Sequence, residues 1–489
     1  MRESISSQLQ LGEIDVGNIQ FNPRSRDDIH QLITGLHHLY INPEFKNKIF
    51  EELQKLTPDH VSSSLGAPGM NHWKIFVLGM LRLNINCDYD RLLELANYHT
   101  LLRQMLGHGK FSDDIYALQT LKDNVILLTP EILEEINQVI VQAGLKQNGK
   151  LKKVIGRCDS FVVKTNVHYP TDVNLLFDAM RCSIRDIAKY AETNKQSNWR
   201  QYQYITRKCK QAMRKIQKMK HSTSKQVVKK LKREHEILSA YAHYIKLTQK
   251  YILKIQETLK LPVATTIVNA AYSVTINENI KHAEHQIDLI KRRIFEKEKI
   301  PHKDKIFSIF QTHTEWINKG KAGVPVELGL RVCIVEHPSN YILHHMVMEN
   351  KTDSEVVVEI IKQTQKLYPE FKACSFDKGF HSPSNQVELK ELLDDVILPK
   401  KGRCNQQEAQ HESNQEFKTA KRNHSAVESG INALEVHGLD KCLDHGIVGF
   451  KRYIAIAVVG RNIQKLGSQL IAKELAKIKR KEKKQKLAA

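Results

Sequence analysis

The feature that most limits the fold is a long polar stretch set between strand-like segments. From about Asp186 to Ile300 the chain is helical in pattern, polar and mostly basic, with sparse apolar positions. Before it, Val154-Ile155 and Phe161-Val162-Val163 form a β-rich run with Asp159 in its middle. After it, Val326–Glu336 and Tyr341–Met348 read as strands, and His337-Pro338-Ser339-Asn340 reads as the turn of a hairpin. A sheet built from these segments must take its first strand from one side of the insertion and the others from the far side.

The elements continue in a regular order. Thr352-Asp353-Ser354-Glu355 has capping-box spacing, and a helix from Val356 to Leu367 follows. Phe371 to Asp377 is a short strand, Ser382-Pro383 starts a helix through Leu393, and Val396-Ile397-Leu398 is a strand closed by Pro399. Lys400 to Thr419 reads as a polar loop, and Ala420 to Val436 as a helix carrying Glu428. Upstream, residues 1–145 read as helical: Trp73–Leu83 is mostly apolar, and Thr129-Pro130-Glu131 has the cap, proline and acid of a helix start.

The chain has 489 residues, 41% of them hydrophobic, enough for several globular domains. Its net charge of +21 points to a polyanionic partner. A membrane is disfavoured, because no apolar run approaches the ~20 residues needed to span a bilayer. Eight cysteines without a CxxC pair argue against a zinc ribbon or a disulfide framework, and suggest a reducing cytoplasm. The first ten residues lack the pattern of a signal peptide. Between Arg207 and Arg233 there are twelve Lys or Arg and no Asp or Glu. That run is either the solvated face of a helical hairpin or a surface that tracks phosphates. A second basic run, Lys473 to Lys486, reads as a frayed helix or a disordered arm.

Without its insertion, the order of elements is that of an RNase H-like α/β core. In that arrangement the first strand is central, the strand ending at Asp377 lies beside it, and a late helix crosses their carboxyl ends. Asp159, Asp377 and Glu428 then converge. Three carboxylates suit a pair of hard divalent ions such as Mg²⁺ in phosphoryl transfer, and their mutual repulsion raises at least one pKa when no cation is bound. Each acid has a plainer reading: an edge-strand residue, a turn cap before Gly379, one surface glutamate among many. Asp172 competes with Asp159, although it follows Pro170-Thr171 as a helix cap would. Glu435 competes with Glu428, being seven residues on along nearly the same helical face. His344 and His345 are adjacent on a strand, point to opposite faces and read as structural. Cys404, His411 and His424 are too irregularly spaced for a zinc site.

Several stretches resemble bacterial insertion-sequence DDE transposases, closest to the ISNCY group within the hairpin-interrupted clan. They are Arg157-Cys158-Asp159-Ser160 through His168-Tyr169-Pro170-Thr171-Asp172, Gly320-Lys321-Ala322-Gly323-Val324-Pro325 through Gly329, Phe376-Asp377-Lys378-Gly379-Phe380-His381-Ser382, and His424-Ser425-Ala426-Val427-Glu428-Ser429. The resemblance covers roughly residues 150–467. It implies that Asp159, Asp377 and Glu428 bind Mg²⁺, with Mn²⁺ a substitute. It also implies an enzyme that cuts double-stranded DNA at transposon ends and joins the 3′-hydroxyl to target DNA, as a homodimer in a synaptic complex, in a cytoplasmic, nucleoid-associated setting. The implied organisation is an all-α N-terminal domain for end recognition (1–150), an RNase H-like core (151–185 and 311–467), a basic helical insertion (186–310) and a basic tail (468–489). Lys378, Arg422 and His424 are candidate DNA contacts, each with the ordinary alternative of a surface side chain. One departure stands out: many relatives carry Tyr and Arg before the third acid where this chain has Lys421 and His424. A nuclease or resolvase on the same core, and a non-catalytic domesticated DNA-binding protein, are the competing expectations.

Overall fold

The computed structural model describes residues 9, 12–57, 69–110, 112–147, 149, 154–220, 227–264, 266–318 and 325–488. The segment Gly320 to Val324, part of the resembling stretches, and Lys225 of the basic run lie outside the described residues. The chain forms two compact units, Met1–Asn166 with Ile317–Ala489, and Val167–Trp316.

The first unit is built on a mixed sheet. Its strands are β1 (Val154–Thr165), β2 (Glu315–Asn318, which straddles the division), β3 (Val326–Glu336), β4 (Ile342–Met348), β5 (Phe371–Phe376), β6 (Asp395–Ile397) and β7 (Lys441–Cys442). β1 is central: it runs antiparallel to β3 on one edge and parallel to β5 on the other. β4 hairpins onto β3, and β6 extends the sheet beyond β5 in parallel. The hairpin turn is closed by the His337 N–H donating to the Tyr341 carbonyl at 2.8 Å, with Asn340 at φ 65°. β1 is paired with β5 only as far as Cys158 and with β7 only from Lys164. Asp159 to Val163 therefore lie between the two partners, and the helix Val427–Leu434 packs against this strand.

Apolar burial explains why these segments fold. Val154, Cys158, Phe161, Val162 and Val163 of β1 are all buried. All but Val162 share one hydrophobic core with the N-terminal helices, including His72–Asn84, and with the run Ile454–Val459 of the helix Gly446–Ala488. Buried Asn462 of that helix satisfies the β4 edge: its Oδ1 accepts from the Ile342 N–H at 2.9 Å, and its Nδ2 donates to the Ile342 carbonyl at 2.8 Å. That removes two unpaired backbone groups where the β3–β4 register shifts, a strong positional constraint.

Two readings of the sequence are corrected. Residues 400–419 are not all loop: Gln406–Ser413 and Gln415–His424 are helices, started by Asn405 and Asn414 side chains that accept the N–H groups of Glu408 and Glu416. Their faces are mostly exposed, so no apolar period marked them. The helix expected over Ala420–Val436 is two helices, broken at Ser425-Ala426, where the Ser425 hydroxyl donates back to the Arg422 carbonyl at 2.8 Å. Of the two readings of the basic run Lys473 to Lys486, helix or arm, the structure has the helix, the last part of Gly446–Ala488.

The second unit has its own core, with Leu176, Met180, Ile216, Tyr244, Ile255 and Ile280 among its buried members. Its limits are Val167 and Trp316, not 186 and 310. The reason is that Asp172–Thr193 is one unbroken helix whose apolar face, from Val173 to Ala191, is buried in this second core.

The helices His30–Ile41 and Gly446–Ala488 cross at a pair of glycines. A Cβ on Gly467 would lie 1.8 Å from the Gln31 carbonyl oxygen, and one on Gly35 would lie 2.2 Å from the Ile463 carbonyl oxygen. Neither backbone can yield locally. Gly467→Ala is expected to destabilise the first unit by about 1–3 kcal/mol, read as a lower midpoint in urea unfolding; an unchanged midpoint would contradict the close crossing.

Candidate active site

The geometry starts from register. Cys158 of β1 is paired with Phe376 of β5 in parallel, so the next residues, Asp159 within β1 and Asp377 just past β5, follow two strands that run about 4.8 Å apart. The Asp377 backbone is still extended, and the chain then turns through Lys378–Phe380. Glu428 comes from the first turn of the helix Val427–Leu434, the helix that packs on β1. Asp377 and Glu428 are exposed, while Asp159 is half-buried.

The electrostatics follow from this placement. Burial pushes the Asp159 carboxyl up to about 7; the Ser160 N–H, donating at 2.7 Å, opposes that, and repulsion from Asp377, Asp353 and Glu428 adds to it. All three expected acids thus interact through one group. A fourth, Asp353, was missed by sequence reasoning. It opens the helix Asp353–Leu367, accepts from the Ser160 hydroxyl at 2.7 Å, and would meet a Cβ on Gly379 at 3.1 Å. Its sequence signal was present, but the capping box around it absorbed the reading; Thr352 and Glu355 do form that box.

The height of the Glu428 helix is set by a buried carboxylate beneath it. Glu336, at 1% exposure, faces Gly430, where a Cβ would fall 2.2 Å from Glu336 Oε1. Burial pushes Glu336 up to about 7, while Arg157, its cross-strand partner, and Arg461 and Lys465 pull it back. Arg157 Nη1 lies 3.6 Å from Glu336 Oε2, an ion pair without a close hydrogen bond.

Of the expected DNA contacts, His424 is built into the site. Its Nδ1 lies 3.0 Å from Ser375 Oγ of β5, and its Nε2 is buried without a hydrogen-bond partner among the described residues. Burial lowers its pKa; Asp377 and Glu428 oppose this, and Arg157 reinforces it. Lys378 and Arg422 are exposed surface side chains.

The competitors fall elsewhere. Asp172 belongs to the second unit, where it pairs with Arg293. Glu435 lies in the turn after the Glu428 helix. His344 bonds Glu134 at 2.6 Å and Gln363 at 3.0 Å, a structural arrangement. Among the described residues no three His, Cys, Asp or Glu side chains are grouped closely enough to hold an ion between them.

A carboxyl whose folded-state pKa lies above its unfolded value holds its proton more tightly when folded. Stability is then lost as pH rises from about 4 to about 7. Asp159→Asn cannot ionise. In chelator at pH 8 it should unfold a few degrees above the parent, with the advantage shrinking toward pH 4; a variant less stable than the parent at pH 8 would refute the repulsive cluster.

No family model, curated protein or solved structure matches this chain.

Proposed function

We propose that the protein is a DDE transposase, with an RNase H-like core that cleaves double-stranded DNA at transposon ends and joins the 3′-hydroxyl to target DNA. The observation that carries this reading is that Asp159 and Asp377 each follow the paired residues Cys158 and Phe376, and that the helix bearing Glu428 packs on β1, although the three acids are remote in sequence. The strand order supports it: in β4-β3-β1-β5-β6, with β1 antiparallel to β3 and parallel to β5, Asp159 stands in β1 just past its last pair with β5, and Asp377 just past the end of β5. No described helix is long and apolar enough to cross a membrane, and the excess of Lys and Arg suits a DNA partner.

In kind, the donors suit Mg²⁺, or Mn²⁺ in its place, although the three carboxylates are not drawn together closely enough in this structure to enclose an ion. They are hard carboxylate oxygens, and their mutual repulsion at Asp159 is the charge that a cation would neutralise. Asp159, Asp377 and Glu428 would hold the ions, and Asp353 is the nearest reserve. When bound, divalent ions polarise the phosphate and lower the pKa of the attacking hydroxyl. The chain itself supplies positioning. β1 and β5 fix two of the acids on one sheet, Glu336 and Gly430 set the helix of the third, and Ser375 orients His424. His424, with Nδ1 against Ser375 and Nε2 buried, braces the end of its helix against β5. The N-terminal helices would read the transposon ends, and a second copy of the chain would complete synapsis of two ends.

A nuclease that does not join strands is the alternative favoured by one observation. His424 stands where many relatives carry arginine, and it is tied to Ser375 and not free to reach along a phosphate chain. Asp377→Ala should keep binding to the element's ends and lose Mg²⁺-dependent cleavage by at least a hundredfold, in line with the typical weight of positioned electrostatic groups. Full cleavage by that variant would sink the assignment. Pre-cut ends that are never joined to a target plasmid would select the nuclease.

A further inference from the structure

We infer that one face of the helix Tyr202–Lys220 is a docking surface for the backbone phosphates of double-stranded DNA. This deepens the proposed function by naming a surface, and rests on it for the choice of DNA among polyanions. The helix is divided by its periodicity. Ile205, Cys209, Met213 and Ile216 are buried in the core of the second unit. Arg207, Lys208, Lys210, Arg214, Lys215 and Lys218 are exposed. At 100° per residue these six cations fall within an arc of roughly 160° opposite the apolar stripe, and Arg207 to Lys218 spans roughly 17 Å. That is about half of the ~34 Å repeat of a DNA duplex.

The contrast within the unit argues against an ordinary solvated face. Elsewhere its arginines are neutralised: Arg181 pairs with Asp178 at 2.9 Å, Arg185 with Asp186 at 2.7 Å, Arg292 with Glu298 at 2.7 Å, and Arg293 with Asp172. No described acid pairs with Lys210, Arg214, Lys215 or Lys218, and no acid occurs anywhere between Arg207 and Arg233. Like charges three and four residues apart repel along a helix, a repulsion that a polyanion would relieve. Tyr204, 48% exposed, lies in the same arc, with Lys208 Nζ 4.8 Å from its ring centroid. An open hollow of about 540 Å³ lined by Arg200, Gln201, Gln203, Tyr204 and Arg207 extends the face at its N-terminal end. An anionic membrane fits less well: a helix lying in a lipid interface offers its apolar stripe to the acyl chains, and this stripe is already buried.

The test uses the full chain and a labelled 30-bp duplex of arbitrary sequence, in chelator, with binding followed by fluorescence anisotropy across KCl concentrations. The triple variant Lys210→Gln, Arg214→Gln, Lys218→Gln changes only exposed side chains, and equal melting temperature verifies its fold. The slope of log affinity against log salt should become shallower by about 2–3, since each lost phosphate contact removes ~0.9. The control triple Lys297→Gln, Lys299→Gln, Lys303→Gln should leave the slope unchanged. An unchanged slope in the first variant, or an equal loss in the control, overturns the proposal. So does tighter binding to anionic phospholipid vesicles than to duplex through the same residues. With no divalent ion present, the assay is independent of cleavage. A failed cleavage assay with the slope change intact would defeat the phosphoryl-transfer reading alone, and the converse would defeat this surface alone.

Discussion

The parallel pairing of β1 with β5, ending at Cys158 and Phe376, is the constraint on which the centre of this protein depends. One residue further along each strand stands an aspartate, and the strands have by then lost their shared ladder. A slip of one residue in that register would put the two acids on opposite faces of the sheet. With the register as it is, a partly buried carboxyl is forced to share its surroundings with Asp377, Glu428 and Asp353. Such an arrangement is unfavourable for the apoprotein and is tolerated only because burial elsewhere is extensive. Sites of this kind, where folding energy is spent on holding like charges together, are where ligand-binding chemistry concentrates.

What holds the acids in place is a layer of packing directly behind them. Glu336 lies under Gly430, and the two-residue separation from Gly430 to Glu428 passes that height on to the third acid. Ser375, one strand over, ties His424, so the end of the helix Gln415–His424 is attached to β5. Asn462 fixes the β4 edge from the long C-terminal helix. These contacts join side chains from remote parts of the sequence, so the site is a property of the whole first unit and not of any single loop.

Much of this was legible in the sequence, for a definite reason. β1, the β3–β4 hairpin, the capped helix at Asp353 and β5 all carry strong local signals: β-branched runs, a turn tetrapeptide and a capping box. The order of those elements was enough to expect Asp159 and Asp377 side by side. The region around Glu428 was less legible. Its helices are short, mostly exposed and started by asparagine caps, so hydrophobic period was silent and one long helix was expected where two occur. Asp353 was hidden by a motif that explained its neighbours. β7 is two residues long, too short to announce itself. The limits of the second unit were misplaced because the helix Asp172–Thr193 looks like part of the first, and only its buried partners reveal where it belongs.

The central claim is that Asp159, Asp377 and Glu428 act as one divalent-cation site. Calorimetric titration of the apoprotein with Mn²⁺ at pH 7.5 tests it most directly. The account predicts saturable binding that is strongly weakened by each of Asp159→Asn, Asp377→Asn and Glu428→Gln, and accompanied by proton release, because Asp159 must ionise to bind. Binding of equal strength in all three variants, or none in the parent, would contradict it.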